Sequence, residues 1–146
     1  MKTPGPDHPL AFIDDPVRTR ARFEDHVIAD TVEAVTLREA DYDPVRYFPR
    51  KDVETGFLSK TDKEYTCPYK GPATFYSMMI NGDLQENVAW SYEEPYPAAE
   101  PIRGRIAFYP DRVQVYTVSE RETDDRHSDA RVAAWPAGLP GDTKRM

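Results

Sequence analysis

The stretch TFYSMMINGDLQENVAWSY, residues 74–92, carries the reading of the fold. Thr74 to Ile80 is aromatic and apolar, Leu84 to Tyr92 is again β-prone, and Asn81-Gly82 between them is the strongest short-range hairpin signal a sequence can give. In an extended chain Glu86, Val88, Trp90 and Tyr92 share one face, and Asn87, Ala89 and Ser91 the other. A face with a carboxylate, an indole and a phenol is a boundary between core and water or the wall of a pocket, and the pattern leaves both readings open.

Outward from the hairpin the same kind of signal recurs. Val17, Thr19, Ala21 and Phe23 alternate with Arg18, Arg20 and Arg22, a period of two that predicts a strand with three guanidinium groups on its polar face. Those cations are expected to be solvated or to meet acidic residues across a sheet or dimer contact. Glu24-Asp25 reads as a hairpin tip into His26–Ala29, and Val32–Leu37 follows, which predicts a three-stranded meander. Val45–Phe48, Ile106–Tyr109 and Val113–Val118 are further short strands. Arg50–Val53 and Ala98–Glu100 have room for one helical turn each.

Fourteen Pro, nine Tyr and six Phe in 146 residues, with no long Ala/Leu-rich run, argue against helices. The pattern is that of a mainly β chain, a compact sandwich or barrel-like pair of sheets with one or two helical turns. Residues 1–15 are expected as an N-terminal arm, rich in Pro and polar side chains. Residues 16–118 are expected as a single β domain, and 119–146 as a charged tail in which Trp135 and Leu139 are candidate anchors on the body or on a neighbouring subunit.

Nineteen Lys and Arg against 26 Asp and Glu give a net charge of −7, a field that repels phosphate backbones and anionic lipid. Nucleic acid and membrane are therefore not expected as partners. No apolar run approaches the roughly 18 residues of a membrane span, and MKTPGPDHPLAF has no signal-like apolar core, so a cytoplasmic protein is expected. Metal and cofactor are not expected either: there is one Cys, and His8, His26 and His127 are scattered outside any ligand spacing. Glycine-rich phosphate loops, H-E-x-x-H and G-x-S-x-G do not occur.

Cys67 stands in Tyr65-Thr-Cys-Pro-Tyr-Lys-Gly71. One reading is a thiolate favoured by Lys70; the other is a small buried side chain ending a strand, with Pro68 and Gly71 making the turn. No local histidine is at hand as a base, which favours the second. Tyr47-Phe-Pro-Arg50-Lys-Asp52 reads either as a strand end with a turn or as the mouth of a cleft.

Tyr47-Phe-Pro-Arg50 with Asp52-Val53, then Cys67-Pro-Tyr-Lys-Gly71 with Ala73 and Tyr76, then Glu86-Asn87, Ala89-Trp-Ser-Tyr92, Pro95, Ile102, Gly104 and Ala107-Phe-Tyr109 together resemble the DUF427 family. The resemblance covers about Pro16 to Val118. It implies a single-domain β fold similar to the two-sheet tent of Mss4-like proteins. Pro72 and Val88 depart from the family pattern, which has an acidic residue and an alanine there. The resemblance also brings a nucleotidyltransferase-like label, which the absence of a phosphate cradle and of a Gly-Ser motif followed by paired acidic residues leaves as a weak alternative.

These readings converge on a cleft for a small organic molecule. Tyr47, Trp90, Tyr92, Tyr69 and Cys67 are its expected lining, and Arg50 and Asn87 its polar selectors. Lys70, Glu86 and Asp52 are the candidates for acid–base or charge-stabilising work. The rival expectation is a non-catalytic module that forms a homodimer and uses the same aromatics as core.

Overall fold

The computed structural model describes residues 1–118. Its strands are β1 (Leu10–Asp15), β2 (Thr19–Phe23), β3 (His26–Thr31), β4 (Ala34–Glu39), β5 (Val45–Tyr47), β6 (Leu58–Cys67), β7 (Gly71–Ile80), β8 (Asp83–Ser91), β9 (Ile106–Phe108) and β10 (Gln114–Thr117). The expected mainly β class is what the chain adopts, in a sandwich-like arrangement. The helical pieces are 3₁₀ turns at Arg50–Asp52, Thr55–Phe57 and Pro97–Ile102, the first and last falling where single turns are expected.

The Asn81-Gly82 signal is realised directly. Both residues take positive φ, 54° and 77°, the left-handed pair a two-residue hairpin loop needs to match the strand twist. The hairpin β7–β8 sits in the middle of the antiparallel sheet β6-β7-β8-β9; the other sheets are β1-β4-β5 and β10-β2-β3.

The four-stranded sheet is a partition. Phe75, Trp90 and Ala107 lie side by side across β7, β8 and β9 and join Val35, Leu37 and Tyr47 in one apolar cluster. Tyr76, Ala89 and Phe108 are the next cross-strand row and join Ala21, Phe23 and Ile28 in a second cluster. One face of the partition thus packs toward the β1-β4-β5 sheet and the other toward β10-β2-β3. Each fully buried Phe, Leu or Ile in these layers contributes about 1.5–3 kcal/mol of transfer free energy.

Several local expectations change. β2 and β3 form the expected hairpin, but β4 leaves it and pairs with β1 and β5, so there is no three-stranded meander. Leu10–Asp15, which the proline-rich composition assigns to the arm, is a strand running the full length of β4. Val17 stands outside β2 and is exposed, whereas Arg18 and Arg20 reach across to Asp30 of β3. Those ion pairs hold the Asp30 carboxyl below its ordinary range, the Arg18 hydrogen bond being the largest cause. Among the described residues no helix is long and apolar enough to cross a membrane. The tail expectation, with Trp135 and Leu139, falls outside the described residues.

Candidate functional site

The turn between β6 and β7 places the first residue of interest. Gly71 has φ of +104°, and a Cβ there would lie 3.0 Å from the Tyr96 nitrogen; that same Tyr96 N–H donates to the Lys70 carbonyl at 2.9 Å. Only glycine permits both the backbone sign and the close approach. The clamp fixes Lys70, which is 2 % exposed, and aims its ammonium at Glu39, the last residue of β4. Lys70 Nζ donates to Glu39 Oε1, and Glu39 is itself buried.

Glu39 has a second partner. His8 Nε2 donates to Glu39 Oε2 at 2.7 Å, and the imidazole lies flat on Tyr69, with ring centroids 4.0 Å apart and planes within 5°. Tyr42 meets the same imidazole edge-on at 5.8 Å. The segment bearing His8 is held to the body by Lys2 N–H donating to the Pro68 carbonyl at 2.6 Å and Ala40 N–H donating to the Pro9 carbonyl at 2.9 Å. Lysine, glutamate and histidine from three distant parts of the chain therefore form one chain of charge-assisted bonds under the N-terminal segment.

Behind this chain lies the aromatic floor. Lys70 Nζ is 5.8 Å from the Tyr92 ring centroid, within cation–π range. Trp90 Nε1 donates to the Tyr47 hydroxyl at 3.1 Å, and the two rings meet edge to face. Tyr47, Trp90, Tyr92 and Cys67 are all buried in the same cluster, with Tyr65 and Tyr69 packed against it. Burial drives the Tyr47 and Tyr92 phenols far above their ordinary range, and raises Tyr42 and Tyr65 as well, the Glu39 charge adding to both. The Tyr92 hydroxyl is buried without a hydrogen-bond partner.

Of the residues singled out in the sequence, Lys70, Tyr47, Cys67, Tyr69, Trp90 and Tyr92 are brought together here. The other four are elsewhere. Arg50 donates to the Tyr76 hydroxyl at 3.0 Å and to Glu93 Oε2 at 2.7 Å, and the Tyr76 hydroxyl also donates to Glu93, on the partition's other face. Asp52 accepts from Thr31 Oγ1 at 2.8 Å.

Asn87 forms a bulge in β8, where the β7–β8 register shifts. Its φ is +51°, its N–H donates to Ser77 Oγ at 3.0 Å and its Oδ1 accepts from Thr61 Oγ1 at 2.6 Å. Asn tolerates that backbone better than most residues. The bulge breaks the expected alternation: Val88 joins the cluster opposite to Trp90's, and Glu86 is exposed.

Glu39, His8 and Tyr42 are the members sequence reasoning missed. A signal for Glu39 exists, because Val35, Leu37 and Glu39 share one face of β4 by the period of two, which places a carboxylate in an apolar row. A separate open groove of about 460 Å³ is bordered by Asp14, Asp15, Val32, Glu33 and Arg105. Two of its charges are already engaged: Arg105 donates to the Glu33 carbonyl at 2.8 Å, and Glu33 accepts from Lys51 at 2.8 Å.

Fold and site define a small, mainly β domain with a buried lysine–glutamate pair capped by its own N-terminal segment. The family model described as a domain of unknown function (DUF427) matches residues 12–119, and the chain belongs to that family. No curated protein matches the sequence.

Proposed function

We propose that this domain binds a small organic molecule at the Lys70–Glu39 pair, with Tyr42, Tyr65, Tyr69 and Tyr92 around it. The observation that carries the reading is the pair itself. Two charges removed from water gain little over an apolar pair of the same volume, so their placement beneath a peripheral segment, against the ring of Tyr92, whose hydroxyl is buried without a partner, is the kind of arrangement that functional sites accumulate. A bound guest with a polar group toward Tyr92 and Lys70 gives that hydroxyl its missing partner. Any acid–base role falls to Lys70 and Glu39, which face each other, since Asp52 is engaged by Thr31 and Glu86 is exposed on β8.

Tyr47, Trp90 and Tyr92 are all completely buried; the first two satisfy each other's polar atoms, which favours a core role for those two rings, as the rival module reading has it. A thermal-shift screen of small organic acids, amines and heterocycles, run on the parent, Lys70→Met and Glu39→Gln, separates the readings. A compound that raises the parent's Tm by several degrees and neither variant's supports binding at the pair. Equal shifts in all three proteins, or none across the library, leave the module reading standing.

A further inference from the structure

His8 is held as a ligand would be held. Its ring has a parallel stacking platform in Tyr69 at 4.0 Å, an aromatic edge in Tyr42 at 5.8 Å, and a carboxylate oxygen of Glu39 at 2.7 Å to receive its N–H. The other oxygen of that carboxylate is fixed by the buried Lys70 ammonium, so the acceptor is aimed before any ring arrives. A flat π-face and an oriented acceptor at the edge of the ring stacked on it are the two requirements for recognising a planar N–H heterocycle. The chain that supplies the ring is a peripheral one: Lys2, Thr3, Pro6, Asp7 and Pro9 are exposed, and Gly5 and His8 are joined by a single bridge.

Resting on the ligand-binding reading above, we propose that Tyr69, Tyr42 and Glu39 form a subsite for a planar nitrogen heteroaromatic ring, and that His8 occupies it when no ligand is present. The N-terminal segment is then an intramolecular competitor. Its ring is present at an effective concentration on the order of millimolar or above, so a guest must carry further contacts, toward Lys70 and Tyr92, to displace it.

The experiment uses the full chain with His8→Gly and imidazole as the probe, at fixed pH and ionic strength. At roughly ten times its dissociation constant imidazole raises the Tm of His8→Gly by about 5 °C. The parent needs at least about tenfold more imidazole for the same shift, because its own ring is in place. 2-Pyrrolidinone, a five-membered ring with an N–H and no aromatic face, gives no shift, and Glu39→Gln in the His8→Gly background removes most of the imidazole effect. Imidazole shifts that are equal in parent and His8→Gly, or absent from both, or indifferent to Glu39→Gln, overturn the subsite. If His8→Gly takes imidazole while the compound screen finds no ligand for the parent, the subsite stands and the ligand-binding reading falls; the reverse pattern sinks only the subsite.

Discussion

Lys70→Met is the most informative single change. Methionine keeps most of the lysine's length and apolar stem but leaves Glu39 buried with one partner, the imidazole of His8. Removing one member of a buried ion pair costs about 3–5 kcal/mol, most of it the uncompensated charge that remains. The surviving His8 bond puts the expected loss near the lower end, about 3 kcal/mol, equivalent to a fall in Tm of roughly 10 °C for a domain of this size. Glu39→Leu alone strands the ammonium in the same way. The double variant replaces both charges with apolar groups of similar volume, and its stability should return to within about 1 kcal/mol of the parent.

Urea unfolding at pH 7, followed by tryptophan fluorescence, measures all four corners of the cycle, with midpoints moving and slopes constant. A single-variant loss below about 1 kcal/mol would mean the pair is reached by water. Simple addition of the two single losses would mean that Lys70 and Glu39 do not act on each other. Either result refutes the reasoning.

Three other expectations follow from the same geometry. Tyr47→Phe leaves the buried Trp90 N–H without an acceptor and should cost about 1–3 kcal/mol, whereas Tyr92→Phe removes a hydroxyl that has no partner and should cost less than about 0.5 kcal/mol in the same urea assay. Gly71→Ala meets both a positive φ and the Tyr96 backbone, so a loss above about 2 kcal/mol is expected, and a neutral result would deny the clamp on Lys70. Tyr42, Tyr47, Tyr65, Tyr76 and Tyr92 all hold their phenolic protons more tightly folded than unfolded, chiefly through burial. Their contribution is therefore complete below the ordinary phenol value of about 10 and is lost as pH rises above it. Urea midpoints should fall as pH rises above about 10, and phenolate absorbance from the fully buried Tyr47 and Tyr92 should appear only with unfolding.

Much of the fold is legible because its strongest signals are local. Asn81-Gly82 dictates its own turn, and Thr19–Phe23 shows its alternation in five residues. β6 is not legible: Leu58–Cys67 reads as a charged run because it is an edge strand, where lysines and acids protect an open ladder. β1 is hidden by the prolines before it, although Leu10 and Phe12 pack on the core. The departure of β4 from the β2–β3 hairpin is equally invisible, since the residues announce a strand but not its neighbour.

The site divides along the same line. Aromatics beside Lys70 mark it as unusual, but its partner Glu39 is 31 residues away, and only β1-β4-β5 closing over the partition brings the two together. Asn87 shows the opposite failure, in which the residue type permits a bulge and a strict period of two conceals it.

The Lys70 ammonium, sealed against Glu39 inside the protein, is the feature on which the site depends most. A proton–nitrogen correlation spectrum tuned to lysine ammonium groups, recorded near pH 7 and 25 °C, observes this group directly, because exposed ammonium protons exchange too fast to be seen. One persistent resonance that disappears in Lys70→Arg and in Glu39→Gln is the predicted result. A spectrum of the folded parent with no protected ammonium signal would contradict it.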